Sequence, residues 1–340
     1  MTRISENYLL GSLQFGLLQN RLKVAKHTEE ISSGYKVVTP GDTEQPGLIS
    51  KLRETKGRMD SHLKRISGVL GSLDFQDGVL GEAQNITQRA LELATQGANE
   101  IVSVSDRARM AEEVLGLRDQ LVSLANSSFE GTYVFGGATD TTPPFSEQLN
   151  QLLTPPATPF YQDPPTGAAS IRYAYTTVAG ATTTRTVDLS DTTSIRINGV
   201  GSDIFTGAVD ALERLGRALA GYKTDPAPPA SPTETGVAYV FPGEFTQQTA
   251  DIRQTIDLLK AASQDQIGTE RASIGARTNQ LLSAKSVVES TQMRAQESIS
   301  ALQDADIAES ATNLTQAETA LQATMTLTGR VLRMSILDYL

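Results

Sequence analysis

The sequence predicts a mainly helical protein in which long helices from both chain ends frame a small insert of mixed helix and strand. The flanks are rich in Leu, Ala, Gln, Glu and Arg, which lose little side-chain freedom in a helix. Of the 14 prolines, only Pro40 and Pro46 lie outside the stretch from Pro143 to Pro242, so this stretch cannot be one continuous helix. Apolar residues near both ends recur in alternating steps of three and four, which is the coiled-coil period.

The first segment carries two apolar stripes. One consists of Ile4, Tyr8, Gly11, Phe15, Leu18, Leu22 and Ala25, and the other of Leu10, Leu13, Leu17, Val24 and Ile31. The last segment shows the same spacing at Ile307, Ala311, Leu314, Leu321, Met325, Leu332, Ile336 and Tyr339. A helix with two apolar stripes needs at least two neighbours, so we expect the two ends to pair with each other and with other copies. A monomeric bundle with buried ends is the alternative.

From these stripes we predict an assembly interface. Its members are Ile4, Tyr8, Phe15, Leu18, Leu22, Leu314, Leu321, Met325, Leu332 and Ile336.

Capping residues place the other helices. Gly34 is expected to end the first helix, and Asp42 or Thr43 to cap a second that runs from about Gly47 to Gly97 with Pro46 near its first turn. A third should start at Ser105-Asp106 and end near Asn126. A fourth is expected over residues 247–290, and Asp304 should cap the last helix, with Asp306 in its first turn.

The middle of the chain contains Thr-rich runs that are typical of strands. Residues 171–178 and 182–187 flank Ala179-Gly180-Ala181, which predicts a β-hairpin. Residues 194–199 alternate and then turn, and residues 208–222 suggest one short helix. We therefore predict a terminal coiled-coil domain (1–40 with 291–340), a helical-bundle domain (41–142 with 246–290) and a mixed outer domain (143–245).

The composition excludes several classes of protein. The 340 residues include no Cys and no Trp, so disulfide frameworks, thiolate metal sites and cysteine catalysis are excluded. A formal net charge of -10, with no local basic cluster found to override it, argues against nucleic acid or an anionic membrane as a partner. Polar residues interrupt the apolar ones near the N-terminus, so we expect neither a signal peptide nor a membrane span there.

Residues suited to catalysis do not form a recognisable set. His27 and His62 are far apart in sequence and show no metal-binding spacing. Ser61 and Lys64 have the spacing of a Ser-x-x-Lys motif without its companion motifs. Asp304, Asp306 and Glu309 lack the spacing of a calcium loop. We predict no catalytic residue, no metal and no cofactor.

Several strings in both flanks resemble the bacterial flagellin family. The N-terminal flank contributes ISSGYKVVTPGD at residues 31–42 and RALELATQGAN at 89–99. Residues 105–108, 116–121, 124–126 and 131–137 (GTYVFGG), followed by Pro143-Pro144-Phe145, are similar to the hook-filament junction proteins of this family. The C-terminal flank contributes DADIAE at 304–309 and SILDYL at 335–340.

The resemblance implies a flagellin-like architecture and an adaptor function. The expected protein forms a ring of its own copies, with the first hook-associated protein on one side and flagellin on the other. Export as an unfolded chain through the flagellar type III apparatus is implied, with a cytosolic chaperone at the C-terminal segment. A Cys-free chain whose ends fold on meeting neighbours suits this route.

Three rival functions stay open at this point. The first is the filament subunit itself, a flagellin. The second is an extracellular hydrolase in the middle domain, where Asp163, Asp188, Asp191 and Asp203 supply carboxylates without a recognisable pair. The third is a secretion-system tip or translocator protein, against which the Ser32-Ser33-Gly34 context argues.

Overall fold

A computed structural model describes most of the chain. The described residues are 2–37, 41, 45–139, 141–149, 162–163, 168–169, 171–175, 179–190, 193–223 and 239–337. The predicted caps Asp42 and Thr43, and Tyr339 at the end of the last stripe, lie outside them.

Long helices make up both flanks, which confirms the predicted fold class. They are α1 (Thr2–Ser33), α2 (Pro46–Gly97), α3 (Val104–Ala125), α4 (Gly201–Ala220), α5 (Phe245–Ala261), α6 (Thr269–Gln303) and α7 (Ile307–Leu337). A π-helical segment, Ala262–Gly268, joins α5 to α6. In the described part of the chain, no helix is long and apolar enough to span a membrane.

Helix ends follow the predicted capping chemistry with two corrections. Gly34 has a φ of 76° and its N–H donates to the Glu30 carbonyl at 2.9 Å, as a glycine after a helix does. Ser103, rather than Ser105, caps α3 by accepting from the Asp106 N–H. Asp306, rather than Asp304, caps α7, because its Oδ1 accepts from the N–H groups of Ala308 and Glu309 at 2.9 and 3.1 Å.

The strands pair differently from the prediction. They are β1 (Ser128–Phe129), β2 (Thr132–Tyr133), β3 (Phe145–Leu149), β4 (Gln162–Asp163), β5 (Ala168–Ala169), β6 (Ile171–Tyr175), β7 (Thr186–Ser190) and β8 (Thr193–Arg196). The antiparallel pairs are β1–β2, β3–β6, β4–β5 and β7–β8. The hairpin predicted between residues 171–178 and 182–187 is therefore wrong.

Backbone hydrogen bonds to Gly180 explain why that hairpin does not form. The Gly180 carbonyl accepts from the N–H of Ala138 at 2.9 Å and from that of Thr183 at 3.0 Å. This turn faces residues before β3 rather than β6. Strand propensity identified the extended segments, but it carries no information on which segments pair.

Gly136 and Gly137 sit in a tight crossing of loops. A Cβ on Gly136 would lie 2.2 Å from the Thr139 carbonyl oxygen, and one on Gly137 would lie 2.1 Å from that of Ala181. Asn198 donates from Nδ2 to the Gly137 carbonyl at 2.6 Å. This part of the string at residues 131–137 is thus required by local packing.

Contacts divide the chain into two units. Unit 1 contains Met1–Ser61 and Val287–Leu340, and unit 2 contains His62–Ser286. The core of unit 2 surrounds α4, which packs against α3, α5 and the π-helical segment. The Phe205 ring of α4 meets the Phe135 ring edge-on, with centroids 4.9 Å apart. The three-domain division stays a prediction.

Candidate assembly surface

The helices α1 and α7 form an antiparallel pair in unit 1. Their direction follows from two hydrogen bonds. The Ser310 hydroxyl donates to Glu30 Oε2 at 3.2 Å, and Asn20 Nδ2 donates to Thr324 Oγ1 at 2.9 Å. Residues nearer the start of α1 thus face residues nearer the end of α7.

Backbone hydrogen bonds join the segment that follows α1 to the end of α6 and to the connection between α6 and α7. The Ala305 N–H donates to the Gly34 carbonyl at 2.9 Å, and the Lys36 N–H donates to the Gln303 carbonyl at 2.8 Å. Arg53 on α2 reaches the Gln303 side-chain oxygen at 2.7 Å. These bonds hold the end of α1 next to the start of α7, where the pair of terminal helices begins.

One stripe of α1 is covered by the pairing with α7. Its described members are Leu13, Leu17, Val24 and Ile31, all of which are half-buried, and they match the second apolar stripe of the sequence. Gly16, Asn20, His27 and Glu30 fill the positions between them. Because these positions alternate by three and four, the covered face of α1 follows the coiled-coil period.

The other stripe of α1 is exposed. Tyr8 is 81% exposed, Phe15 63%, Leu18 53% and Leu22 55%. Scattered single apolar residues are normal on a surface, but these four lie in register on one helix face. The described residues leave this face of α1 without a cover.

The predicted α7 residues fall into two groups. Leu314 and Leu321 are half-buried and lie in step with Ser310, Ala317 and Thr324 on the side of α7 that meets α1. Met325 is exposed by 44% and lies off that stripe. Ile4, Leu332 and Ile336 belong to the described helices, but their side chains lie outside the described part.

Sequence reasoning missed the polar residues of the covered seam. Glu30 is only 8% exposed, and its Oε2 also lies 2.8 Å from His27 Nδ1. Asn20 and Thr324 form a second polar contact along the same seam. Their spacing within the apolar period was the available signal, because polar residues at seam positions specify register.

Two open cavities flank the start of the terminal pair. One, of about 750 Å³, is lined by residues that include Arg53, Lys56 and Gln296. The other, of about 520 Å³, is lined by residues that include Lys26 and Glu309. No group of three or more His, Asp or Glu side chains able to hold a metal occurs among the described residues.

Unit 2 contains a buried and a partly exposed ion pair. Arg118 donates to Glu213 at 2.5 Å, and both side chains are 8% exposed. Burial opposes the charge of Arg118, but Glu213 and Asp119 outweigh it and hold the pKa of Arg118 above its usual value. Arg271 makes a two-pronged ion pair with Asp77 and lowers the pKa of that carboxyl. Both pairs lie within unit 2, whereas the candidate site is the exposed face of α1 in unit 1.

Comparison with known proteins finds matches at both ends of the chain. Residues 4–140 match the model of the bacterial flagellin N-terminal helical region, and residues 247–340 match that of the C-terminal helical region. The chain is 26% identical over 330 residues to flagellar hook-associated protein 3 of Escherichia coli (strain K12), with 94% of each chain covered. It is 25% identical over 332 residues to flagellin A of Vibrio anguillarum, with 87% of each covered.

A solved structure shares the fold. Flagellar hook associated protein-3 from Legionella pneumophila superposes with a TM-score of 0.56 at 15% identity, over 75% of this chain and 98% of that one. At this identity the likeness shows the fold alone.

Proposed function

The chain belongs to the bacterial flagellin family, and from this premise we propose that it is an adaptor subunit at the hook-filament junction. Its family makes it a structural component of the bacterial flagellum. Copies of it form a ring that binds a hook-associated protein layer on one side and the flagellin filament on the other. The relatives are structural proteins, and the adaptor has no catalytic activity of its own.

The exposed stripe Tyr8, Phe15, Leu18 and Leu22 is the observation that carries this proposal. The helix α1 already uses its other stripe against α7, so the exposed one is free for neighbouring subunits. A fully buried Leu or Phe side chain is stabilised by about 1.5–3 kcal/mol relative to an exposed one. Burial of these four side chains against a neighbouring subunit would therefore favour binding. Met325, Leu332 and Ile336 would extend the interface along α7, and Ile4 along α1.

The route to the junction belongs to the same proposal. The chain is made in the cytoplasm, is held there by an export chaperone at its C-terminal segment, and leaves unfolded through the flagellar type III apparatus. The absence of Cys means that no disulfide has to form or break on this route. Folding of α1 and α7 is then completed against neighbours in the assembled structure.

Variants of the two stripes test the adaptor function. Phe15→Ser with Leu22→Ser changes the exposed stripe and should leave the unfolding free energy of the isolated chain within about 0.5 kcal/mol. Cells with this variant as the only copy should export it but carry few filaments. Leu17→Ser on the covered stripe is the matched control, and it should lower stability as well as assembly.

A truncation gives a stricter test. Removal of all residues after Ala311 deletes most of α7 and uncovers the second stripe of α1. Normal filaments on cells with only this truncated chain would overturn the proposal.

A filament subunit is the second candidate function, because flagellin A of Vibrio anguillarum matches over a similar share of the chain. Abundance separates the two. A filament subunit should dominate the protein of sheared flagella, whereas a junction adaptor should be a minor component.

A further inference from the structure

The sign of the charge changes along α2. Between Pro46 and Arg65 there are six Lys or Arg and two Asp or Glu, and between Ile66 and Gly97 there are four Asp or Glu and one Arg. The net charge of the whole chain hides this segregation, which the sequence analysis missed. A charged helix face is a candidate interaction surface, because charges of opposite sign steer association and fix register.

Four exposed charges of α2 make no ion pair that the described part of the chain shows. Lys51 and Arg58 in unit 1 are exposed and make no described side-chain ion pair. Asp74 in unit 2 is likewise exposed and unpaired, and Glu82 only accepts from Asn85 at 3.5 Å. Arg89 contrasts with them, because it is paired with Glu92 and Glu113.

The helix dipole does not account for this order of charges, because its effect is confined to the first and last turns. Anions favour the N-terminal turn and cations the C-terminal turn. The first turn of α2 has no acidic residue and its last turn has no basic residue. The stability of α2 alone therefore does not explain the arrangement.

We propose that the basic face of α2, defined by Lys51 and Arg58, binds the acidic face of α2 in a second copy, defined by Asp74 and Glu82. At a rise of about 1.5 Å per residue, the two cations are spaced by about 11 Å along the helix and the two anions by about 12 Å. The two faces thus match in spacing as well as in sign.

A second copy is the partner that this complementarity fits. When two copies bind head to tail through two different faces, one copy keeps a free acidic face and the other a free basic face, so each can bind one more neighbour. Such head-to-tail contacts build rings or helical arrays. The inference rests on the proposed function, because it requires copies to lie side by side in one assembly.

Charge reversal and its compensation test the contact. Lys51→Glu with Arg58→Glu reverses the basic face, and Asp74→Lys with Glu82→Lys reverses the acidic face. In cells with no other copy, each double variant should lower the number of cells with filaments by about tenfold, since like charges then face each other. The fourfold variant restores opposite signs and should return that number to within about twofold of wild type.

Matched reversals control for charge alone. Arg253 on α5 and Arg294 on α6 are exposed, so Arg253→Glu with Arg294→Glu makes elsewhere the same change in net charge as reversal of the basic face. This control should assemble normally, and all variants should keep the thermal unfolding temperature of the wild type.

Each other outcome contradicts the inference. If the double variants give as many cells with filaments as wild type and the chain is still found at the junction, the contact between copies is overturned and the proposed function stands. A fourfold variant that is not rescued, or a control that fails as badly, would show that the partner is not this face of a second copy. A chain absent from isolated flagella would overturn the proposed function and this inference together.

Discussion

Asn20 on α1 donates a hydrogen bond to Thr324 on α7 at 2.9 Å, across 304 positions of the chain. The Thr324 hydroxyl in turn donates to the Ala320 carbonyl within α7 at 2.7 Å. A polar contact at a seam position lowers stability relative to an apolar one but favours a single register. The contact therefore fixes which residues of the two chain ends face each other.

A disulfide should report this register. A Cβ on Gly16 would lie 3.9 Å from Thr324 Cγ2, so positions 16 and 324 are direct neighbours across the seam, as a disulfide requires. Gly16→Cys with Thr324→Cys should form an intramolecular disulfide on mild oxidation, visible as faster migration on a non-reducing gel. Because the chain contains no other Cys, the band has one assignment.

The exposed stripe supplies the control for this disulfide. Tyr8→Cys with Thr324→Cys places one thiol on the uncovered face of α1 and should give no fast band. Equal oxidation of both pairs would contradict the register.

Two exposed glycines in α2 should lower the stability of the isolated chain. A Cβ on Gly68 or Gly78 would meet nothing within 4 Å, and neither has a positive φ. Glycine in a helix interior costs about 1 kcal/mol relative to alanine. Gly68→Ala and Gly78→Ala should each raise the unfolding free energy by about that amount, as measured by urea denaturation.

Gly137 is the matched control for these substitutions. Its φ is 66° and a Cβ there would collide with the Ala181 carbonyl, so Gly137→Ala should destabilise the chain. Destabilisation by Gly68→Ala or Gly78→Ala would show that the faces they occupy are covered within the chain.

Helix positions were predictable because their signals are local. Gly34 and Pro46 mark the end of α1 and the start of α2, and the sequence places both boundaries within about one residue. The sequence predicts a helix from Ala208, but α4 begins at Gly201; Ile204 and Phe205, in the part that is not predicted, also suit a strand.

Strand pairing and the site depend on distant contacts. Residues 171–175 pair with Phe145–Leu149, and no local pattern distinguishes that partner from Thr182–Val187. The two stripes of α1 are equally apolar in sequence, and only packing against α7 shows that the stripe of Leu17 is covered and that of Phe15 exposed. The sequence predicts both stripes, but only the structure shows which of them packs against α7.

The buried pair Arg118–Glu213 should be costly to break from one side. Both side chains are almost fully buried, so Glu213→Leu takes a carboxylate partner away from a buried guanidinium. Removing one member of such a pair costs about 3–5 kcal/mol. Arg118→Met with Glu213→Leu should recover most of that loss in urea denaturation. A double variant as unstable as the worse single variant would show that the pair does not act as a unit.

Tyr239 should give the chain a stability that falls at high pH. Its ring is 5% exposed and its hydroxyl donates to Asp251 Oδ2. Burial, followed by the bond to Asp251, raises the pKa of Tyr239 above its usual value near 10. A group with a raised pKa in the folded state contributes its full stability below the unfolded pKa and loses it as the pH rises toward the folded one.

Comparison with Tyr239→Phe isolates this effect from the other titrating groups. The variant should be less stable by about 1.5–3 kcal/mol at pH 7, because Asp251 loses a hydrogen-bond donor. Above pH 10 the unfolded tyrosine ionises while the folded one does not, so the difference should shrink by about 1.4 kcal/mol per pH unit. Urea denaturation of both proteins between pH 7 and 11 measures it. A difference that stays constant across this range would mean that Tyr239 ionises as easily in the folded chain as in the unfolded one.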